Sequence, residues 1–321
     1  MLIDGQQFLL IGPKGRKYLL TWQSEGFFTN QDGRIEYADV TDFGIEISTN
    51  RGVRHQVIAP TAADLAMAVK RKTSISYPKD IGFQMVHSTM GSGSVVLECG
   101  GGSGAMTSVL ARMVGDTGKI HVFERREEFI TLAQKNITKL GLADRVEYHH
   151  RDPAEEGFGM DGAFDAAFID VPEPWALVEP VHAALKPGCS ITSLSPNVEQ
   201  VRQMVEKMID VGFARIWTAE TLERELLVRR YGTRPKEMMR SHTGYLTFAA
   251  RFERAIAPEP TKPRIEGVVP ASAAPAAVVP AAAVPAAADA SEEKAPLPAD
   301  DATATSAAVA PTETVDEGSE S

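Results

Sequence analysis

The feature that most constrains the fold is a regular alternation of strand-like and helix-like segments that begins after residue 73. Apolar runs typical of buried strands alternate with amphipathic runs typical of helices, with strands at 95–98, 119–124, 146–150 and 166–170 and helices at 104–114 and 127–140. Strands that alternate with helices form parallel sheets covered by helices on both faces. We therefore predict an α/β domain with a Rossmann-like, mostly parallel sheet.

The end of this domain follows a different pattern. A strand at 190–195 and a helix at 197–211 continue the alternation, but no helical segment of normal length separates the last two strand-like runs, 214–220 and 244–252. Parallel neighbours need a long crossover connection, which is usually a helix. We therefore expect the last two strands to pair in the antiparallel direction.

The N-terminal region consists instead of short alternating runs separated by turn sequences. The turns are at 12–15, 32–33 and 50–52, and this spacing is typical of β-hairpins. Residues 61–71 have helical composition and begin with a threonine that can cap a helix. We predict a small β-barrel-like domain at residues 1–68, linked to the α/β domain at residues 69–255.

Residues 256–321 have a composition that cannot build a core. They consist mainly of alanine, proline, valine and acidic residues, and the frequent prolines prevent a continuous helix. We interpret this segment as a disordered tail. It holds 11 of the 43 acidic residues and 3 of the 33 basic residues, so residues 1–255 are nearly neutral although the formal net charge is −10. This balance leaves room for a local basic surface.

The sequence pattern also favours a soluble cytoplasmic protein. No charged and then apolar leader opens the chain, and no run of about 18 apolar residues occurs, which argues against a membrane partner. The two cysteines, Cys99 and Cys189, lack the spacing of a metal site and are interpreted as structural thiols in a reducing compartment. We predict no metal centre and no DNA partner.

A glycine-rich turn follows the first strand of the α/β domain and opens a helix. Glycine permits a sharp turn there and lets a ligand approach the backbone closely. The alternative is an ordinary tight turn between a strand and a helix. The residues predicted to contact a cofactor in this turn and in the start of the helix are Glu98, Gly100, Gly102, Ser103, Gly104, Ala105, Met106 and Thr107.

Two carboxylates follow the next two strands. Glu124 ends the second strand, 24 residues after Gly100, where it can accept hydrogen bonds from both hydroxyls of a ribose. Asp152 follows the third strand, where it can accept a hydrogen bond from the amino group of an adenine. Either residue alone could be a helix cap or a solvated loop residue. Because the carboxyl ends of parallel strands meet in one crevice, the combined register indicates a nucleoside site.

NAD and S-adenosylmethionine both present a ribose and an adenine, and the run from Gly100 to Ala105 satisfies a loose dinucleotide fingerprint. Against NAD, the final pair of strands and the loop Asp170–Trp175 (DVPEPW) are foreign to dehydrogenases. Two prolines stiffen this loop and hold a carboxylate and an aromatic ring at a set geometry. We therefore predict S-adenosylmethionine as the cofactor and Asp170 as a residue of the cofactor and reaction site. The alternative for Asp170 is a helix N-cap or turn residue.

Five motifs occur in a fixed order along the chain: Tyr77-Pro78-Lys79-Asp80, Glu98–Gly104, Asp170–Trp175, Glu220-x-Leu222-x-Arg224, and Arg234-Pro235 with Met239 and His242–Leu246. With them, residues 8–252 resemble the tRNA (adenine-N1)-methyltransferases that modify adenine 58, of the single-subunit type found in bacteria and archaea. The glycine run is shared by many methyltransferases, whereas the other four motifs are specific. Leu226 and Ser74 stand where the family commonly has a tryptophan and a glutamine.

The resemblance implies a class I methyltransferase domain with a seven-stranded sheet, methyl transfer from S-adenosylmethionine to N1 of adenine 58 in the T-loop of tRNA, and a homotetramer. Adenine N1 has a free lone pair, so no base must ionise it before it attacks the methyl carbon. Positive charge then develops on the ring. A carboxylate at Asp170 can accept the N6 hydrogen, offset this charge and later take the proton, which makes Asp170 the candidate catalytic residue.

Two further side chains are candidate contacts of the extruded adenine. Tyr77 can form an aromatic floor or pack in the core beside Pro78, and His242 can touch the adenine or cap the last pair of strands. Basic residues can contact phosphates or simply form solvated faces. They lie in turns of the N-terminal domain (Lys14, Arg16, Lys17, Arg51, Arg54) and between the last two strands (Arg229, Arg230, Arg234, Lys236, Arg240).

Two other functions stay open at this point. One is a methyltransferase that acts on a small molecule or a protein, and the other is a non-catalytic tRNA-binding subunit. The intact glycine run at Glu98–Gly104, together with Glu124 and Asp170, argues against the second of these. Transfer of label from S-adenosylmethionine into bulk tRNA distinguishes the first.

Overall fold

The computed structural model describes residues 1–253, so the predicted tail at 256–321 lies outside the described residues. The strands are β1 Gln7–Ile11, β2 Lys17–Thr21, β3 Phe27–Asn30, β4 Gly33–Glu36, β5 Ile45–Ser48, β6 Arg54–Ile58, β7 Val95–Cys99, β8 Lys119–Glu124, β9 Val146–His150, β10 Phe164–Ile169, β11 Leu185–Ser195, β12 Ala214–Glu220, β13 Leu226–Arg229, β14 Gly232–Pro235 and β15 Tyr245–Ala250. The α-helices are α1 Ala62–Ala68, α2 Pro78–Val86, α3 Ala105–Val114, α4 Glu127–Lys139, α5 Pro153–Glu156, α6 Val178–Ala184 and α7 Val198–Val211.

The N-terminal strands form an antiparallel sheet in the order β2-β1-β6-β5, and β3 and β4 form a separate hairpin. The predicted hairpins are confirmed, but β2 and β5 remain edges, so backbone hydrogen bonds do not close the sheet into a barrel. Alternation in β4 and β6 sends every second side chain inward. Ile35 of the hairpin therefore shares one core with Phe8, Leu10 and Val57 of the sheet.

Helix α1 connects this small sheet to the larger domain. Thr61 and Asp64 form a capping box, in which the Thr61 hydroxyl accepts from the Asp64 N–H and the Asp64 carboxylate accepts from the Thr61 N–H. The helix ends at Ala68, three residues before the predicted end of the segment. Leu65 and Ala66 pack in the same apolar cluster as α3. The domain boundary near residue 68 stays a prediction.

The larger domain is built on a seven-stranded sheet in the order β12-β15-β11-β10-β7-β8-β9. Strands β11, β10, β7, β8 and β9 are parallel neighbours, and β15 pairs in the antiparallel direction with both β11 and β12. The Rossmann-like sheet and the antiparallel final pair are therefore confirmed. Strand β11 begins at Leu185, five residues before the predicted start, and its register with β10 shifts between Phe164 and Ala166.

Both faces of this sheet are covered by apolar clusters. On one face α1, α3 and α4 pack through residues such as Leu65, Leu110 and Ile137. On the other face α6 and α7 pack through residues such as Val181 and Met204. This two-sided burial explains why the central strands are nearly continuous apolar runs.

The hairpin β13–β14 between the last two sheet strands was not predicted. Nearly all of its residues are exposed on both faces, so its sequence carries no alternation between apolar and polar positions. Within residues 1–253, no helix is both long and apolar enough to cross a membrane. The loops after β7, β8, β9 and β10 all leave the same edge of the sheet, where ligands bind in folds of this class.

Candidate functional site

The glycine-rich turn after β7 lies directly against the backbone of the loop that comes after β10. Gly100 has φ +90°, and a Cβ at this position would lie 2.1 Å from the carbonyl oxygen of Asp170. Gly104 caps α3 in the left-handed region with φ +83°. Any larger residue at position 100 would push the β7 and β10 loops apart, so glycine is required there for steric reasons.

A cavity of about 420 Å³ opens at this edge of the sheet. It brings together four of the residues predicted for the cofactor site: Gly100, Glu124, Asp152 and Asp170. The other lining residues are Cys99, Phe123, Arg125, Arg126, Arg151, Pro153, Ala154, Glu155, Val171, Pro172, Glu173, Ala176 and Leu177. The strand register used for the sequence prediction therefore does converge on one crevice.

The remaining residues of the predicted glycine-turn set do not line this cavity. Ala105 and Met106 belong to the apolar cluster around α3, and Thr107 is fully buried. Ser103 is also buried, and its backbone carbonyl accepts a 2.8 Å hydrogen bond from the Asn136 amide. Gly102 faces the site through its backbone, because its N–H points at Oε2 of Glu124 at 3.4 Å.

Glu98 lies beneath the cavity, inside the protein. It is 3% exposed, and its Oε2 has no hydrogen-bond partner among the described residues. Burial, together with the nearby negative charges of Asp170 and Glu124, raises the pKa of Glu98 to about 8. Glu98 is therefore neutral or partly charged near physiological pH.

Glu124 is held at the end of β8 by its own loop. Oε1 accepts two 3.1 Å hydrogen bonds, from the backbone N–H and from Nε of Arg126. Oε2 receives only the long contact from Gly102. A carboxylate has about four acceptor positions, so Oε2 can still accept a hydrogen bond from a hydroxyl group in the cavity.

Asp152 both caps a helix and lines the cavity. One oxygen accepts a 3.1 Å hydrogen bond from Ala154 N–H at the start of α5, and Nη1 of Arg125 lies 3.7 Å from the other oxygen. Its side chain is 32% exposed. The capping interpretation and the ligand interpretation are thus compatible for this residue.

Asp170 lies directly after β10 and is exposed at the wall of the cavity. Its N–H donates to the Cys99 carbonyl at 2.9 Å, and its Oδ2 accepts a 3.0 Å hydrogen bond from the Ser76 hydroxyl. The protein atoms that surround its carboxyl group partly exclude water and raise the pKa of Asp170, and the bond from Ser76 acts in the opposite direction. The structure does not show Asp170 as a helix N-cap, because the first helical turn after it begins only at Pro174.

A buried ion pair fixes the segment opposite Asp170. Lys79 and Asp80, at the start of α2, are 6% and 0% exposed and lie 2.7 Å apart. Lys79 also donates to the Thr221 carbonyl at 2.8 Å and to the Thr243 hydroxyl at 2.5 Å. The hydroxyls of Thr221 and Thr243 donate in turn to the two oxygens of Asp80, at 2.6 Å and 2.7 Å. This network joins α2 to the end of β12 and to the start of β15.

Tyr77 precedes α2 and is half-buried. The guanidinium of Arg240 lies 4.1 Å from the centre of its ring, so one face of the ring is stacked on a cation rather than packed in a core. Tyr77 does not line the described cavity, although its neighbour Ser76 contacts Asp170. Its proposed contact with adenine stays a prediction.

His242 bridges two segments next to the same edge. Nδ1 lies 2.7 Å from Glu220 Oε1, and Nε2 lies 2.9 Å from the Pro196 carbonyl oxygen. Both partners are acceptors, so both ring nitrogens must carry protons to satisfy them, and these bonds raise the pKa of His242. Of its two interpretations, this geometry favours the cap of the β12–β15 pair.

One group of possible metal ligands lies away from the cavity, on β8 and β9. His121, Glu147 and His149 have ligand atoms within 4.8 Å of one another. However, Nδ1 of His121 lies 3.0 Å from Nε2 of His149, while the ring centres are 5.3 Å apart and the planes differ by only 17°. A direct N–H···N hydrogen bond between the two nearly parallel rings accounts for the short distance between these nitrogens without a metal ion.

Many of the basic residues predicted to contact phosphates are engaged in ion pairs. The pairs are Arg16–Asp32, Lys17–Asp64, Arg54–Glu46, Arg234–Glu237 and Lys236–Glu225. These contacts reduce the net positive charge of both groups. An RNA-binding face formed by them stays a prediction.

The sequence reasoning missed the roles of Ser76, Thr221 and Thr243. Single hydroxyl residues carry no sequence signal of their own, and their partners are up to 163 residues distant. Lys79 and Asp80 were noted only as part of a motif. The sequence does show that Lys79 and Asp80 are adjacent and oppositely charged at the start of an amphipathic helix, and this pattern could have indicated a structural ion pair.

Comparison with known proteins adds to this geometry. Residues 55–234 match the family model described as tRNA methyltransferase complex GCD14 subunit. A curated relative from Methanocaldococcus jannaschii, tRNA (adenine(57)-N(1)/adenine(58)-N(1))-methyltransferase TrmI, is 33% identical over 78% of this chain and 95% of its own length.

Two solved structures are also similar. One is a tRNA (m1A58) methyltransferase, TrmI, from Aquifex aeolicus, with a TM-score of 0.66 and 29% identity over 79% of this chain and 99% of that chain. The other is a SAM-dependent O-methyltransferase from Thermotoga maritima, with a TM-score of 0.71 and 35% identity over 79% of this chain and 95% of that chain. The shared fold therefore covers the described part of the chain almost completely.

Proposed function

The chain belongs to the tRNA methyltransferase complex GCD14 subunit family, and from that premise we propose that it transfers a methyl group from S-adenosylmethionine to N1 of adenine 58 in the T-loop of tRNA. The relatives from Methanocaldococcus jannaschii and Aquifex aeolicus carry names that specify methylation of adenine 57 or 58 of tRNA. The observation that carries the proposal is the position of Asp170. This carboxylate lies at the carboxyl end of β10, in one cavity with Gly100, Glu124 and Asp152.

The cavity suits the cofactor in size and charge. A volume of about 420 Å³ accepts a nucleoside with a short side chain. Its lining has five acidic side chains, Glu124, Asp152, Glu155, Asp170 and Glu173, against the three arginines Arg125, Arg126 and Arg151. This net negative charge favours a cofactor that carries a positive sulfonium group. When bound, S-adenosylmethionine supplies an electrophilic methyl group. Glu124 would hold the ribose hydroxyls and Asp152 the adenine amino group of the cofactor.

Asp170 would act on the substrate base. Methylation of N1, with S-adenosylhomocysteine as the leaving group, would place positive charge on the adenine ring and on N6. Asp170 can accept a hydrogen bond from the N6 amino group, and its negative charge stabilises the developing cation. It can then take the extra proton. Because the adenine must be extruded from the tRNA to reach this depth, Tyr77 is proposed as its stacking partner.

The remaining expectations concern assembly and location. We propose a homotetramer, supported by the exposed apolar side chains of the β13–β14 hairpin, where Leu226, Val228 and Tyr231 are 59%, 73% and 90% exposed. The free cysteines Cys99 and Cys189 suit the reducing cytoplasm. Light scattering after size-exclusion chromatography tests the first proposal against four times the chain mass of 34.6 kDa.

The activity is tested by incubating the purified full chain with labelled S-adenosylmethionine and unmodified tRNA transcripts. Methylation at N1 of adenine 58, mapped by mass spectrometry of the nucleotides, is the expected result. A transcript in which adenine 58 is replaced by guanine is the matched control and should not be labelled there. Label in small molecules or in protein, with none in tRNA, would reject the proposed substrate. The same map reports whether adenine 57 is also a target.

A further inference from the structure

We propose that Ser76 is a positioning residue for methyl transfer: its hydroxyl occupies one oxygen of Asp170 and leaves the other oxygen for the substrate base. This inference rests on the proposed function and extends its site by one residue. Ser76 is only 7% exposed and lies just before α2. Its Oγ donates a 3.0 Å hydrogen bond to Oδ2 of Asp170, which is 94 residues away along the chain.

The bond removes a rotational freedom that the backbone cannot remove. The Asp170 backbone is already fixed, because its N–H donates to Cys99 and its carbonyl lies against Gly100. The terminal torsion of an aspartate side chain is nevertheless broad. Ser76 selects one orientation of the carboxylate. Within residues 1–253, no protein group is bonded to Oδ1, so this is the oxygen available to an exocyclic amino group.

The position of Ser76 is itself determined by its surroundings. Pro78 begins α2 and restricts the backbone of the preceding residue. The buried Lys79–Asp80 pair then ties the start of the helix to Thr221 and Thr243. A side chain held on a rigid support can orient a reactive group within the small tolerance that catalysis requires. This network therefore holds Ser76 in place, and Ser76 in turn orients the Asp170 carboxylate through its hydrogen bond.

The second effect of the bond is on ionisation. Only the charged carboxylate can offset a cation on the adenine, and a hydrogen bond to the charged form favours that form. The position of Asp170 raises its pKa, and the bond from Ser76 opposes this rise. The other titratable or charged groups on the elements around Asp170 are Glu98 and Cys99 of β7, Tyr77, Lys79 and Asp80 next to Ser76 at the start of α2, and, lining the cavity, Arg125, Arg126, Glu124, Arg151, Asp152, Glu155 and Glu173. All of these are unchanged in a Ser76 variant, so a difference from wild type reports the bond.

The test compares Ser76→Ala and Ser76→Thr with wild type in single-turnover methylation of the tRNA transcript from pH 6 to pH 9. Ser74→Ala is the matched control, because Ser74 lies two residues earlier and is exposed. Calorimetry with S-adenosylmethionine and a filter assay with tRNA measure both affinities. For Ser76→Ala we expect a rate about tenfold lower at pH 7, which is the scale of one hydrogen bond to a charged group.

Two further results are expected. The acidic limb of the pH–rate profile of Ser76→Ala should move to higher pH, since Asp170 then takes up a proton more readily. The affinities for cofactor and tRNA should stay within twofold of wild type, and Ser76→Thr, which keeps a hydroxyl, should recover most of the rate. A merely structural role for Ser76 would lower the rate equally at every pH.

The inference is overturned if Ser76→Ala reacts within twofold of wild type with an unmoved acidic limb, or if its rate falls equally across the whole pH range. Asp170→Asn separates this failure from failure of the proposed function. A slow Asp170→Asn with a normal Ser76→Ala rejects only the role of Ser76. A normal Asp170→Asn rejects the proposed site itself.

Discussion

The two sides of the crevice are built in different ways. The cofactor side, formed by Gly100, Glu124 and Asp152, comes from the ends of three adjacent parallel strands, β7, β8 and β9. The base side, formed by Lys79 and Asp80 with their partners Thr221 and Thr243, joins segments 141 to 164 residues apart. The first arrangement follows from sheet topology, whereas the second depends on a few buried polar contacts.

This difference predicts different responses to mutation. On the cofactor side each side chain lies on a strand end that the core holds in place, so removing it should change ligand affinity and leave the fold intact. On the base side the polar contacts are themselves what holds the segments together. Loss of one partner there leaves a buried charge without compensation. Stability should therefore fall together with activity.

The largest expected effect is that of Lys79→Met. This variant leaves the buried carboxylate of Asp80 without its cation, and we expect the free energy of unfolding to fall by about 3–5 kcal/mol. Urea denaturation followed by circular dichroism measures it. Lys72→Met is the matched control, since Lys72 is exposed and should change stability by less than about 0.5 kcal/mol. Equal stability of the two variants would show that the base side does not depend on the ion pair.

Glu98 gives a pH-dependent test beneath the cofactor side. Its pKa is raised from 4.5 to about 8 in the folded protein, so unfolding releases a proton between these two values. Stability must then fall as the pH rises through this window. Glu98→Gln removes this dependence, and we expect it to gain on the order of a few kcal/mol relative to wild type between pH 5 and pH 8.5. Urea denaturation measures the free energy of unfolding of both proteins across that range. If the values for wild type and Glu98→Gln changed with pH in parallel, the raised pKa of Glu98 would be contradicted.

Glu124→Ala should weaken the binding of S-adenosylmethionine without unfolding the protein. Hydrogen bonds to a charged group contribute about 1.5–3 kcal/mol, so the dissociation constant should rise about tenfold to a hundredfold. Isothermal calorimetry measures this, with Glu128→Ala on the exposed start of α4 as the control. Unaltered affinity in Glu124→Ala would remove this residue from the cofactor site.

Asp152→Ala should have the smallest effect. The Asp152 side chain is 32% exposed, and its contact with Ala154 caps only the four-residue helix α5. The loss of such a cap costs about 1 kcal/mol, and we expect cofactor affinity to fall by less than about tenfold. A loss equal to that in Glu124→Ala, in the same calorimetric assay, would show that the two carboxylates contribute equally to binding.

The contrast also explains what the sequence could predict. The sequence could predict that the glycine, glutamate and aspartate residues at the strand ends lie close together, because neighbouring parallel strands end at a common edge of the sheet. Ser76, Thr221 and Thr243 could not be found this way, since nothing local to a hydroxyl residue specifies a partner far along the chain. The β13–β14 hairpin was missed for a related reason: its two faces are both exposed, so no apolar period marks it.

The central claim is that the charge of Asp170, and not only its shape, drives methyl transfer. Asp170→Asn keeps the shape and one acceptor oxygen but removes the negative charge. In single-turnover assays at saturating enzyme, the account predicts normal binding of cofactor and tRNA with methylation slower by at least about a hundredfold, the scale of losing one preorganised stabilising group. A rate within a few-fold of wild type would show that Asp170 only positions the base, and would contradict the account.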